Sequence, residues 1–211
     1  MACGQNRVIL NGFPKDSVHF YIGFQKVHEQ FNYLQAAQKF SNDKAGVILL
    51  QVDLHRAIVP VNDGDVLVGE PASTTFLLNI YDVDSITGAP GKSLTKEPLT
   101  IKNGSSSVIK IDLSKYKIII PGKTFFVGLE WIFNDRNQRF MNNGYNNPSS
   151  KDLDGKKYNI VQLIYQPFIG MVKNKKTTSD AWMMTPDHRW KLYTHNLPYM
   201  TDLAITSHIL R

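Results

Sequence analysis

Glu130 is the acidic side chain that first invites a chemical reading. It stands among Val127, Leu129, Trp131 and Ile132, in the run Gly128-Leu129-Glu130-Trp131. A glycosidase needs two carboxylates facing each other across a cleft. The second would have to come from the segment that follows, from Asp152 or Asp154. Strand parity decides what Glu130 can do. With Leu129 and Trp131 pointing inward, it points out beside Gly128; with parity reversed, it is buried and must be paired. A structural salt bridge is the reading we favour over a catalytic acid.

Other constellations fail on spacing. Gly91-Lys92-Ser93 and Gly122-Lys123-Thr124 echo the end of a phosphate-binding loop, but the Gly required upstream is replaced by Ile86 and by Lys117. Both sites read as Pro-Gly turns. His28-Glu29 opens like a zinc-protease helix, yet Asn32 stands where the second His belongs. No Gly-x-Ser-x-Gly elbow occurs. His188 and His195 lie near Asp187, but no close metal-ligand pairing links the histidines. Asp152 and Asp154 before Gly155 resemble the start of a calcium loop. Lys156 and Lys157 follow, and the bidentate Glu is missing. That stretch reads as an Asp-Gly turn, and no metal or cofactor is expected.

The segment from Asn134 to Asn159 has almost no periodicity and few apolar residues. Connections that long without secondary structure are usually functional loops or disordered ones. Arg136, Arg139, Asn142, Asn143, Asn146 and Asn147 offer hydrogen-bonding groups, while Phe140 and Tyr145 offer flat apolar faces. A sugar presents both hydroxyls and apolar C–H faces. Arg136, Arg139, Phe140, Asn143, Tyr145 and Asn147 are therefore the expected ligand-binding residues.

The elements that must position these groups read as strands. Ser17 to Phe24, Phe31 to Phe40, Val47 to His55, Thr75 to Val83, Val108 to Leu113, Thr124 to Phe133, Ile160 to Ile169, Trp190 to Tyr193 and Asp202 to Leu210 have strand composition with period-two stretches. Leu50, Val52 and Leu54 should share one side of their strand. Turn chemistry separates the runs at Asn62-Asp63-Gly64-Asp65, Thr87-Gly88-Ala89-Pro90-Gly91, Asn103-Gly104-Ser105 and Pro121-Gly122-Lys123. The expected core is Phe76, Leu78, Ile80, Ile109, Ile111, Leu113, Val127, Leu129 and Trp131. Asp112-Leu113-Ser114 should make a polar corner, with Tyr116 anchoring the next strand. Gly128 should admit a large neighbour, Trp131 or a Tyr from the facing sheet. The prediction is all-β: a single antiparallel β-sandwich over 17–211, preceded by a tail or first short strand over 1–16.

Composition sets bounds on function. Hydrophobic residues at 42% and charged residues at 20% suit a globular chain rather than a disordered one. No apolar window reaches about 18 residues, so no membrane-spanning helix is expected. Twenty-four Lys and Arg against eighteen Asp and Glu give +6. These charges are scattered and lack interleaved aromatics, so nucleic acid is not an expected partner. Cys3 is the single cysteine, which leaves no internal disulfide. In Ala2-Cys3-Gly4 it matches a trimmed bacterial lipoprotein terminus, which would make Cys3 a lipidation site and a membrane anchor. If Met1 is the native start, the chain is cytoplasmic instead.

The runs FLLNIYDVDSITGAPGKSL from Phe76, VIKIDLSKYKIIIP from Val108 and FFVGLEWI from Phe125 resemble a domain of Bacteroidetes cell-envelope proteins. That domain often accompanies carboxypeptidase-like regulatory domains. Tyr33 to Phe40 and Leu203-Ala204-Ile205 extend the resemblance. It implies a jelly-roll-like sandwich in the cell envelope and transfers no catalytic residue. The expectation is a non-catalytic binding or adhesion module for a glycan or an envelope protein. Two alternatives stand beside it: a glycan- or peptidoglycan-acting hydrolase using Glu130 and a loop Asp, and a structural subunit of an envelope assembly.

Overall fold

The protein's structure, a computed structural model, describes residues 6–25, 32–57, 73–104, 106–142, 161–174, 176, 178–194 and 201–211. The strands in the first half of the chain are β1 (Arg7–Leu10), β2 (Val18–Gln25), β3 (Gln35–Ser41), β4 (Val47–Ala57), β5 (Thr74–Val83), β6 (Pro90–Ser93) and β7 (Leu99–Asn103). Next come β8 (Val108–Asp112), β9 (Ile118–Ile120), β10 (Thr124–Trp131) and β11 (Gln138–Asn142). The last are β12 (Val161–Lys173), β13 (Ala181–Met184), β14 (Trp190–Leu192), β15 (Thr201–Leu203) and β16 (Ile205–Leu210). Among the described residues the helical pieces are 3-10 turns at Lys15–Ser17 and Ser114–Tyr116. None is long and apolar enough to cross a membrane.

The strands make two antiparallel sheets, a β-sandwich as the sequence pattern predicts. In the first, β1, β16, β4, β12 and β11 lie in that order, with β8 and β9 also on β4, and β2 and β15 also on β12. In the second, the order is β14, β13, β3, β10, β5 and β6, with β7 also on β5. Within the N-terminal segment, Arg7–Leu10 makes a short strand, with Arg7 opposite Leu210.

The core follows from alternation. Every second side chain of a strand faces the opposite sheet, and all nine expected core residues are buried there. Each contributes roughly 1.5–3 kcal/mol by leaving water. Phe40 and Phe125, opposite each other on β3 and β10, stack at 5.2 Å. Polar groups also bridge the sheets: the Trp131 Nε1–H donates to the Pro167 carbonyl at 2.9 Å, and the Gln38 Oε1 accepts from the Leu203 N–H at 2.7 Å. Arg56 is 2% exposed, and its guanidinium donates to the Ser106 and Gly104 carbonyls, tying the end of β4 to the β7–β8 connection. A buried charge requires such partners.

Several expectations need correction. Leu50 does not share a side with Val52 and Leu54. Val47 and Leu49 are buried at one end of β4, and Val52, Leu54 and Arg56 at the other. The change of parity falls at a β-bulge, where His208 pairs with Gln51 while Ile209 pairs with Leu49. Pro90 to Ser93, read as a turn, is the edge strand β6. The turn lies upstream, where the Asp84 carboxylate accepts from the Ile86 and Thr87 N–H groups and Gly88 takes a positive φ of 72°. Proline at the start of an edge strand breaks no ladder. The run from Asp202 to Leu210 is two strands, β15 and β16, which serve different neighbours. Asp112 does form the polar corner, accepting from the Ser114 N–H and hydroxyl. Tyr116, expected to anchor the next strand, is instead 43% exposed, while Leu113 at the corner is fully buried. The stretch from Asn134 is not structureless throughout, since it begins with a turn and continues as β11 against β12.

Candidate functional site

Glu130 is the starting point. Along β10, Phe125, Val127, Leu129 and Trp131 belong to the core between the sheets. Alternation therefore turns Phe126, Gly128 and Glu130 to the outer face of the second sheet. On β3 the outward set is Gln35, Ala37 and Lys39, on β5 it is Leu77, Asn79 and Tyr81, and on β13 it is Trp182 and Met184, because their sequence neighbours fill the core. The β13–β14 register, Trp182 opposite Leu192 and Met184 opposite Trp190, brings β14 to the same face.

Ladder register arranges these residues in rows across the sheet. Trp182, Ala37, Gly128 and Asn79 make a central row, with Leu192 at its end. Trp190, Met184, Gln35, Glu130 and Leu77 make a second. Lys39, Phe126 and Tyr81 make a third. Small side chains at Ala37 and Gly128 lower the middle of the face, and large rings close over it. Tyr81 leans across Gly128 and meets Trp190 edge to face, centroids 5.9 Å apart at 74°. Trp182 meets Phe126 at 6.3 Å and 87°. Phe126 is fully buried although it lies outside the intersheet core, so the rings cover it from the other side.

A polar chain runs beneath the rings. The Tyr81 hydroxyl donates to Gln35 Oε1 at 2.7 Å, and Gln35 Nε2 donates to Glu130 Oε2 at 3.0 Å. Asn79 Nδ2 lies 3.4 Å from the same oxygen. Glu130 therefore points outward with Gly128, but its partners are amides rather than the cation of a salt bridge. Burial, followed by the negative charge of Glu130, pushes the Tyr81 phenol up to about 12. Tyr81 thus stays a donor at any physiological pH. The large neighbour of Gly128 is this Tyr from the adjacent strand, not Trp131 or a residue of the facing sheet.

Half-buried rings beside amides and a carboxylate can hold a ligand that offers C–H faces and hydroxyls or amines. The sequence reading identified Glu130 and the need for space at Gly128, but missed Gln35, Asn79, Tyr81, Trp182 and Trp190. The available signal was the polar and aromatic occupancy of positions alternating with core residues on β3, β5 and β13.

The other sequence-predicted groups are dispersed. Arg136 is exposed in the turn before β11, and Arg139 and Phe140 lie on β11 opposite Ile164 and Leu163. Asn142 ends that strand. Asn143, Tyr145, Asn146, Asn147, Asp152, Asp154 and Cys3 lie outside the described residues, as do His28, His195 and the Asn62–Asp65 turn. His188 sits exposed in a turn, at a φ of 57°, and its neighbour Asp187 pairs with Arg189 at 2.8 Å. Among the described residues no group of three or more His, Cys, Asp or Glu side chains could hold a metal ion.

No family model matches the chain, and no curated protein matches it in sequence. Among solved structures, the crystal structure of the cysteine protease and lectin-like domains of Cwp84, a surface layer associated protein of Clostridium difficile, is similar at 10% identity and a TM-score of 0.48. The match covers 94% of this chain and 37% of that one, so the chain spans little more than a third of that neighbour's length.

Proposed function

We propose that the protein is a non-catalytic binding module whose outer sheet face, centred on Tyr81, Trp182, Trp190 and Glu130, takes a saccharide. The observation that supports this reading is the Tyr81–Trp190 pair standing over the Gln35–Glu130 amide–carboxylate pair. Sugar C–H faces pack on half-buried rings, and sugar hydroxyls exchange hydrogen bonds with amides and carboxylates. The hydrolase alternative needs Asp152 or Asp154 to face Glu130, and both lie outside the described residues; the described network around Glu130 consists of amides and a phenol. Display in the cell envelope, with Cys3 as the acylated anchor, belongs to the same proposal. It rests on the envelope-domain resemblance and on the Ala2-Cys3-Gly4 sequence. An apolar leader encoded immediately upstream of Ala2 would support it, and a native start codon at Met1 would remove it.

A glycan array followed by affinity electrophoresis tests the binding reading. Trp190→Ala and Trp182→Ala should each weaken retention by about tenfold, the effect of losing roughly 1.4 kcal/mol of contact. A version with residues 143–154 replaced by a short Gly/Ser link should bind as the parent does. If shortening that segment abolishes binding while the Trp variants retain it, the site belongs to the segment with Asn143, Tyr145 and Asn147.

A further inference from the structure

The proposed saccharide-binding face carries a charge, that of Glu130, which no described residue neutralises. Glu130 accepts from Gln35 and Asn79 through Oε2 alone, and its other oxygen takes no bond from the described residues. No described Lys, Arg or His forms an ion pair with it. The chain is otherwise basic, at +6, so a solitary carboxylate here is not a general property of the surface. The described cations that register places on this face stand apart from the carboxylate: Lys39 shares its strand with Gln35 but lies four residues along, about 13 Å away at the usual strand rise, and Lys102, opposite Thr75 on β7, lies two strands over from Glu130 and two residues along, about 12 Å away at the usual strand spacing and rise. The rings beside Glu130 add to the effect. Their π faces are negative and attract ammonium groups, most strongly where water is partly excluded. A half-buried carboxylate and two half-buried aromatic rings therefore share one ligand preference.

We infer that the face selects a cationic sugar, one with a free amino group held against Glu130 and the rings of Tyr81 and Trp190. This rests on the saccharide-binding reading and narrows it to amino sugars that are not N-acetylated. Anionic sugars would place like charges together and lose the contact.

Calorimetric titration at about pH 6, where carboxylates are ordinarily ionised, tests this with three probes: a glucosamine tetramer, an N-acetylglucosamine tetramer and a galacturonate tetramer. The parent protein should bind the glucosamine tetramer about tenfold more tightly than the N-acetylated one, as expected for a partly desolvated cation–π and carboxylate contact. The galacturonate tetramer should bind most weakly. Glu130→Gln should collapse the ratio between the first two, and added salt should reduce it in the parent alone. Near-ultraviolet circular dichroism identifies a variant that has lost its fold, and in that event the salt dependence of the parent decides. Equal affinities in the parent, or a preference that survives Glu130→Gln, overturns the inference. If the N-acetylated tetramer binds and Trp190→Ala removes that binding, the saccharide reading stands while this inference falls. If none of the three probes binds, both fall.

Discussion

The ring of Tyr81 fills the space that a side chain on Gly128 would take: its Cε2 atom lies 2.8 Å from the position of a Cβ built there. Nothing can be added at Gly128 without moving the ring, and moving the ring disturbs its hydroxyl bond to Gln35 and its contact with Trp190. Gly128→Ala should therefore cost about 1–3 kcal/mol by overpacking. Adding Tyr81→Leu should recover much of that loss, because residues in contact couple by about 0.5–3 kcal/mol. Urea denaturation of the two single variants and the double variant measures the coupling. Strict additivity would show that the ring does not depend on the glycine.

Tyr81 should also report the charge of Glu130. Its phenol is pushed up to about 12 by burial and then by that carboxylate. The folded value exceeds the ordinary value near 10. The stability linked to this phenol is therefore complete below that ordinary value and is lost as pH rises through the folded one. Glu130→Gln should move the Tyr81 step to lower pH. Difference titration of phenolate absorbance against the corresponding Tyr81→Phe proteins isolates it from Tyr193, which is also raised to about 12. An unmoved step would mean that Glu130 does not act on the ring.

Asn137 is a clamp that the Asn-rich composition concealed. It is fully buried; its Oδ1 accepts from the Thr75 N–H at 2.9 Å, and its Nδ2 donates to the carbonyls of Thr75 and Ile132 at 2.6 and 2.7 Å. Asn137→Ala leaves three partly buried backbone groups without that partner and should cost about 2 kcal/mol. Asn137→Asp keeps the shape but turns a donor into an acceptor facing two carbonyls. Its introduced carboxyl should titrate above the usual range, so that variant should lose further stability as pH rises. Thermal unfolding across mildly acidic to neutral pH distinguishes the two variants.

His55 should set part of the acid limb of stability. Its ring packs on Phe13 at 4.9 Å, and burial lowers its pKa, with Asp53 opposing and Lys15 reinforcing the shift. A lowered folded pKa means that the linked stability is present above the ordinary value near 6.5 and lost as pH falls through the folded value. His55→Gln should flatten the decline in urea midpoint over that window. An unchanged slope would assign the decline to other groups.

Which parts were legible in the sequence follows from how each is encoded. Phe76, Leu78 and Ile80, or Ile109, Ile111 and Leu113, carry their burial in adjacent alternating positions, so a single strand states its own core face. The candidate site is distributed differently. Gln35, Tyr81, Glu130, Trp182 and Trp190 come from five strands, and only the ladder register makes them neighbours. Apart from Glu130, each is unremarked in its own segment. β13 and β14 are also short, four and three residues, too brief for a period to show. The Asn-rich stretch drew attention by composition, although Asn137 serves the scaffold.

The bulge on β4 has a consequence for how the chain tolerates changes in length. Removing or adding one residue within a regular strand exchanges inside for outside along everything beyond it. Deleting Leu50 would instead leave Val47 and Leu49 at one end, and Val52 and Leu54 at the other, in a single unbroken alternation. The bond forfeited is the one from the Leu113 N–H to the Leu50 carbonyl, at the corner where β8 gives way to β9. Position 50 is thus a site where a natural single-residue deletion could be absorbed, its cost confined to that corner while the core stays in frame.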